Sequence, residues 1–160
     1  MSSIMNMLKS ALQHEVRASV LYNRAIDITN NEEAKSLFIE LAGFEDDHAK
    51  KIIQTANGYE GVDAEELEKH LDWLEKEFEK GFTVKENETL KHGDIKDVLA
   101  MAISMEESAR DAYADLVNSA SDGDLKKFCE AMVTEEQSHA NSLEQALTNV
   151  DIEPEDRAGL

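Results

Sequence analysis

The chain has 160 residues, enough for one domain with a hydrophobic core, and its sixteen basic against thirty-five acidic residues give a formal charge of -19. That sign repels phosphate backbones and anionic membrane surfaces, so neither nucleic acid nor membrane is expected as a partner. One proline and seven glycines permit long helices and disfavour a many-turned β fold, and the single cysteine, Cys129, excludes an internal disulfide or a four-cysteine metal ribbon. The start shows no apolar stretch of signal-peptide length, and no run approaches the roughly 20 apolar residues of a membrane span. A reducing cytoplasm is the expected compartment.

Four long segments carry helical periodicity. The first runs from about 3 to 29, with Leu8, Leu12, Glu15, Ser19, Tyr22 and Ile26 on one stripe. Asn30, followed three residues later by Glu33, suggests a capping box opening the second, which ends before Asn57-Gly58. Its stripe is Ala34, Phe38, Leu41, Glu45, His48 and Ile52. Residues 58–93 read as loop, helix over about 63–80, then loop, with Ala64, Leu67, Leu71, Leu74 and Phe78 on the apolar side of that helix. The third long helix begins near Asp94 and carries Leu99, Ala102, Glu106, Ala109, Tyr113 and Leu116. The fourth follows Ser121-Asp122-Gly123-Asp124 and carries Leu125, Cys129, Met132, Glu136, His139, Leu143 and Ala146. Residues 1–150 are expected to form one four-helix domain with 58–93 as its crossover, and 151–160, which contain Pro154, a polar tail.

The chain repeats itself at an offset of 91 (106 − 15, 136 − 45): Glu15 falls on Glu106, Tyr22 on Tyr113, Glu45 on Glu136 and His48 on His139. Each half is a helix carrying Glu followed by a helix carrying Glu-x-x-His. Residue 30 is the midpoint of Glu15 and Glu45, and residue 121 that of Glu106 and Glu136. Both midpoints fall in the turns, so each pair meets at one height across an antiparallel hairpin. Each histidine lies one helical turn further along, about 4.5 Å, on the same face. Six side chains therefore converge in one layer: Glu15, Glu45, His48, Glu106, Glu136 and His139.

A buried, ionised carboxylate without a partner costs several kcal/mol, so such groups protonate, pair or bind a cation. Arg17 and Arg110 point away from the stripes by spacing. Two divalent ions would balance four glutamates, with two neutral imidazoles completing the set. This ligand chemistry suits iron or manganese. The competing reading is a metal-free bundle with these groups near its surface. It asks six residues on apolar stripes to share one offset and one height by accident. Tyr22 and Tyr113, seven residues after their glutamates on the same face, suit hydrogen-bond donors to the ligand carboxylates or plain core packing. His14, about 100° round the helix from Glu15, is expected exposed, as are His70 and His92. Cys129 occupies a core position, while Glu107 and Glu135 point off the stripes and fall outside the site.

The paired Glu and Glu-x-x-His hairpins, over about residues 3–148, resemble the rubrerythrin branch of the ferritin-like superfamily. The resemblance implies an all-α, ferritin-like four-helix bundle built from two duplicated hairpins, running up-down-down-up with one long crossover that contains a short helix. It implies two iron ions held by the six residues, with manganese, mixed iron and manganese, or zinc as alternatives. The implied activity is an oxidoreductase acting on dioxygen or hydrogen peroxide in oxidative stress, as a homodimer. Either Glu45 with Glu136 or Glu15 with Glu106 would bridge the ions. Two departures matter. No rubredoxin-type cysteine set is present, so turnover needs an external electron donor. Ala109 stands where rubrerythrins carry a further glutamate, which disfavours their peroxidase cycle. A ferroxidase or iron-handling role is therefore a second expectation, and a helical module with a purely structural metal is a third.

Overall fold

The computed structural model describes residues 3–80 and 84–150. The polar tail, 151–160, lies outside the described residues. Six helices follow in order: α1 (Ile4–Ile28), α2 (Glu32–Ala56), α3 (Ala64–Glu79), α4 (Val84–His92), α5 (Ile95–Ser119) and α6 (Asp124–Val150). Helices α1, α2, α5 and α6 form the bundle.

Local chemistry fixes the helix ends. Ser3 caps α1 by accepting from the Asn6 N–H, and Asp63 caps α3 by accepting from that of Glu66. Asp94 and Asp97 form a reciprocal capping box at the start of α5. The cap of α2 is Asn31, not Asn30, because the Asn31 side chain accepts from the Ala34 N–H at 2.9 Å. Asn57 ends α2, and Gly58 then takes φ +90°, a left-handed value that glycine adopts without steric cost.

The residues after α3 differ from the expected loop, since Val84–His92 is helical. This segment is mostly polar and buries Leu90 alone among its described apolar side chains, so no apolar stripe betrays it. Long-range contacts hold it instead: Arg17 pairs with the buried Glu86, and Arg24 donates to Asn87 at 3.4 Å.

Packing gives the direction of each helix. One apolar cluster joins Leu21, Tyr22 and Ala25 near the end of α1 with Ala34 and Phe38 at the start of α2, Leu99 at the start of α5 and Leu143 near the end of α6. A second joins Leu8 and Leu12 with Ile52, Leu116, Leu125 and Cys129 at the opposite end. The bundle therefore runs up-down-down-up, and α3 lies along α1 and α2 with Leu67 and Leu74 turned inward. Between the two apolar clusters lies a polar layer.

Candidate metal centre

All four glutamates of that layer, Glu15, Glu45, Glu106 and Glu136, are completely buried, and His48 and His139 are nearly so. Each sits on the stripe that its helix turns toward the bundle axis, flanked by apolar neighbours three or four residues away. The hydrophobic burial of those neighbours carries the carboxylates into the bundle interior with them.

The six side chains fall into two groups whose ligand atoms lie within 4.8 Å of one another: Glu15, Glu45, His48 and Glu136, and Glu45, Glu106, Glu136 and His139. Glu45 and Glu136 belong to both groups. Glu15 and Glu106 each belong to one.

The imidazoles turn Nδ1 toward the carboxylates. His48 Nδ1 lies 3.4 Å from Glu15 Oε2 and 3.3 Å from Glu136 Oε1. His139 Nδ1 lies 3.4 Å from Glu45 Oε1 and 3.5 Å from Glu106 Oε2. Both oxygens of Glu45 and Glu136, Glu15 Oε2, Glu106 Oε2 and the two Nδ1 atoms have no hydrogen-bond partner. Buried polar atoms are rarely left so, and here they converge on one another. Their chemistry, anionic oxygen and imidazole nitrogen, is that of a site for a pair of metal ions.

The outer oxygens of the terminal glutamates are held differently. Tyr113 in α5 donates to Glu15 Oε1 in α1 at 2.6 Å, and Tyr22 in α1 donates to Glu106 Oε1 in α5. The two tyrosines thus exchange partners between the hairpins, each leaving the other oxygen of its glutamate facing the cluster. Burial, together with the charge of the neighbouring glutamates, raises both phenols well above their ordinary range, so they remain donors.

Without ions the layer holds protons. Burial and the charge of Glu15 raise the Glu45 carboxyl well above the usual carboxylate range. Burial and Glu136 raise Glu106 to about 7, although His139 opposes the shift. Burial on its own lowers the histidines, but adjacent carboxylates outweigh it and raise His48 to about 11 and His139 to about 9.

One contact departs from the sequence reading. Glu135, expected to point off the site, places Oε1 3.0 Å from His48 Nε2. Position 135 does leave the α6 stripe, but it turns toward α2, where His48 presents the edge of its ring. Its counterpart in the first hairpin is Phe44, which is 40% exposed and stacks on His139 with ring centroids 5.4 Å apart. A carboxylate directly before Glu-x-x-His was the available signal, but its direction depends on how two hairpins pack. Glu107, in contrast, lies 3.9 Å from Arg110 on the outer side.

The remaining residues sit apart from the cluster. Arg17 is taken by Glu86, and Arg110 donates to Gln137 at 2.5 Å. His14 is half-buried rather than exposed, and burial together with Arg17 lowers its pKa. His70 is also half-buried, stacked on Trp73, whereas His92 is exposed. Cys129 is buried in the lower apolar cluster, and burial pushes its thiol up to about 12. Ala109 is buried and offers no donor.

The Rubrerythrin family model matches residues 97–158, the part of the chain that holds Glu106, Glu136 and His139. No significant match to a curated protein or to a solved structure was found. Among the described residues, no helix is long and apolar enough to cross a membrane.

Proposed function

We propose that the chain is a rubrerythrin-like member of the ferritin-like superfamily whose buried layer binds two iron ions and reduces dioxygen or hydrogen peroxide. One observation carries the reading: two overlapping groups of buried carboxylate and imidazole atoms that lack hydrogen-bond partners and face each other. In this proposal Glu45 and Glu136 are shared by both ions. Glu15 and His48 complete one site, and Glu106 and His139 complete the other. A pair of ferrous ions would supply the two electrons that peroxide reduction to two waters consumes.

The protein's part is to hold and orient. Tyr22 and Tyr113 fix one oxygen each of Glu106 and Glu15, which keeps the other oxygen aimed inward. Glu135 engages His48 Nε2 and so turns Nδ1 to the cluster. The apolar clusters on either side keep bulk water from the layer. Carboxylate and imidazole ligands favour iron, or manganese or a mixed pair, and the one thiol is buried elsewhere. A reducing cytoplasm, an external electron donor and a homodimer complete the proposal, and the charge of -19 disfavours nucleic acid and membrane as partners.

Metal analysis of protein purified from its native host, followed by anaerobic reduction and separate mixing with peroxide and dioxygen, tests this reading. About two iron ions per chain are expected, with rapid oxidation and sustained turnover only when a donor is added. Native protein holding zinc alone, with an iron-loaded form inert to both oxidants, would overturn it in favour of a structural metal. Ala109 favours a second reading, a ferroxidase that passes iron on, because it leaves the buried face of the third long helix without a further carboxylate one turn after Glu106. Iron uptake well beyond two ions per chain would select it.

A further inference from the structure

A fully buried charged layer with an apolar cluster on each side needs a way in. A cavity of about 300 Å³ lies between α1, α2 and α3. Glu15 and Glu45 form its inner end, while Asp46, Glu75, Glu79 and Lys50 stand where it meets the surface. Both oxygens of Glu45 and Oε2 of Glu15 lack hydrogen-bond partners. Ser19, also in the wall, donates to Asp46 Oδ1 at 2.7 Å and holds that carboxylate at the rim.

The internal repeat supplies a comparison within the molecule. Ser19 and Asp46 correspond to Arg110 and Gln137, and these two also bond to each other, at 2.5 Å. At the same position relative to the cluster, one hairpin presents a small hydroxyl and a carboxylate, whereas the other presents a long cation. The first side offers a positive ion a carboxylate at the rim, whereas on the second the guanidinium is already paired with Asp111, at 3.1 Å, and offers it no ligand. At the mouth itself, three carboxylates outweigh the one lysine.

We propose that the cavity between α1, α2 and α3 is the path by which a divalent cation reaches the buried cluster, drawn in by Asp46, Glu75 and Glu79. This rests on the reading of the cluster as a two-ion site. The acidic mouth raises the local cation concentration and the rate of capture, while the six inner side chains set the final affinity.

Rapid mixing of metal-free protein with cobalt(II), followed by absorbance, tests the path without any catalytic readout. Asp46→Asn combined with Glu75→Gln keeps shape and removes charge. It is expected to slow uptake about tenfold, and to flatten its dependence on ionic strength, while still reaching two ions per chain. Lys50→Glu should accelerate uptake. Ser19→Arg with Asp46→Gln copies the pair from the other hairpin and should slow uptake at least as much as the neutral pair. Glu144→Gln, on the exposed side of α6, should change nothing. Uptake of two ions at rates blind to every change at the mouth, or slowed equally by Glu144→Gln, would overturn the path and leave the two-ion site standing. Wild-type protein that takes up no cobalt would overturn both.

Discussion

The two hairpins, α1 with α2 and α5 with α6, are alike where they face each other and unlike behind. Glu15 and Glu106, Glu45 and Glu136, His48 and His139, and Tyr22 and Tyr113 recur with the same geometry and the same partners exchanged. One step outward the match ends. Glu135 sits on His48, while Phe44 stacks on His139. Ser19 with Asp46 borders a cavity, and Arg110 with Gln137 stands at the matching positions. Equal charge must converge on the axis for two ions to be held, so the inner residues are constrained in pairs. The outer residues answer to different neighbours. Helix α3 lies along the first hairpin alone, and there it walls the solvent-linked cavity that reaches Glu15 and Glu45.

The largest effect should come from breaking the shared carboxylates. Glu45→Ala or Glu136→Ala removes a residue common to both groups and should abolish tight binding of both ions. Glu15→Ala or Glu106→Ala touches one group each, so about one ion per chain should remain at equilibrium. Metal analysis after dialysis against a weak chelator distinguishes these outcomes, and equal loss from all four variants would show that the two sites are not separable.

Next in size is the pH dependence of the metal-free protein. Glu45 and Glu106 have folded pKa values above the unfolded 4.5, and His139 and His48, at about 9 and 11, lie above the unfolded 6.5. For every one of these groups the folded state binds protons more tightly than the unfolded chain. What these groups contribute to stability is therefore full below about pH 4.5, falls as pH rises through about 7 where Glu106 loses its proton, and falls further through about 9 to 11. Bound ions replace those protons and should remove the slope. A thermal midpoint of chelator-treated protein that stays level or rises between pH 5 and pH 9 would contradict this.

What could be read from one sequence follows the same division between inside and outside. The six inner residues and both tyrosines lie on helical stripes, and the repeat offset places them at one height, so helix periodicity alone brings them together. Which tyrosine meets which glutamate depends on α1 lying beside α5, a relation between hairpins that spacing within a hairpin does not contain. Glu135 was lost for that reason. Asn31 rather than Asn30 caps α2 because cap choice turns on one backbone angle, and both residues are competent acceptors. Helix α4 carries too few apolar residues to show a period and is held by Arg17 and Arg24 from α1.

A smaller effect should sharpen the difference between the two imidazoles. Glu135→Gln weakens the partner of His48 Nε2 and should lower affinity at the His48 site by about tenfold to a hundredfold. The other site should be little changed, so stepwise calorimetric titration would show the two affinities moving relative to each other. Phe44→Glu installs beside His139 the residue type that His48 has, and should strengthen that site instead. Identical shifts at both sites in either variant would mean that Glu135 acts only through the overall charge.

The smallest effect should fall where the hairpins are most alike. Tyr22→Phe and Tyr113→Phe each delete one hydroxyl and leave the ring in its apolar cluster, so the change isolates a single hydrogen bond to a buried carboxylate. Losing it should cost about 1 kcal/mol in chemical unfolding of the metal-free protein, the ordinary net worth of one hydrogen bond. Both variants should still bind two ions, with affinity reduced less than about tenfold, because each glutamate keeps its inward oxygen. The tyrosines occupy matching positions and exchange equivalent partners, so the two costs should agree within about 0.5 kcal/mol. A large loss for one alone would show that the two halves differ at the inner layer too, and that the likeness of their geometry does not extend to their energetics.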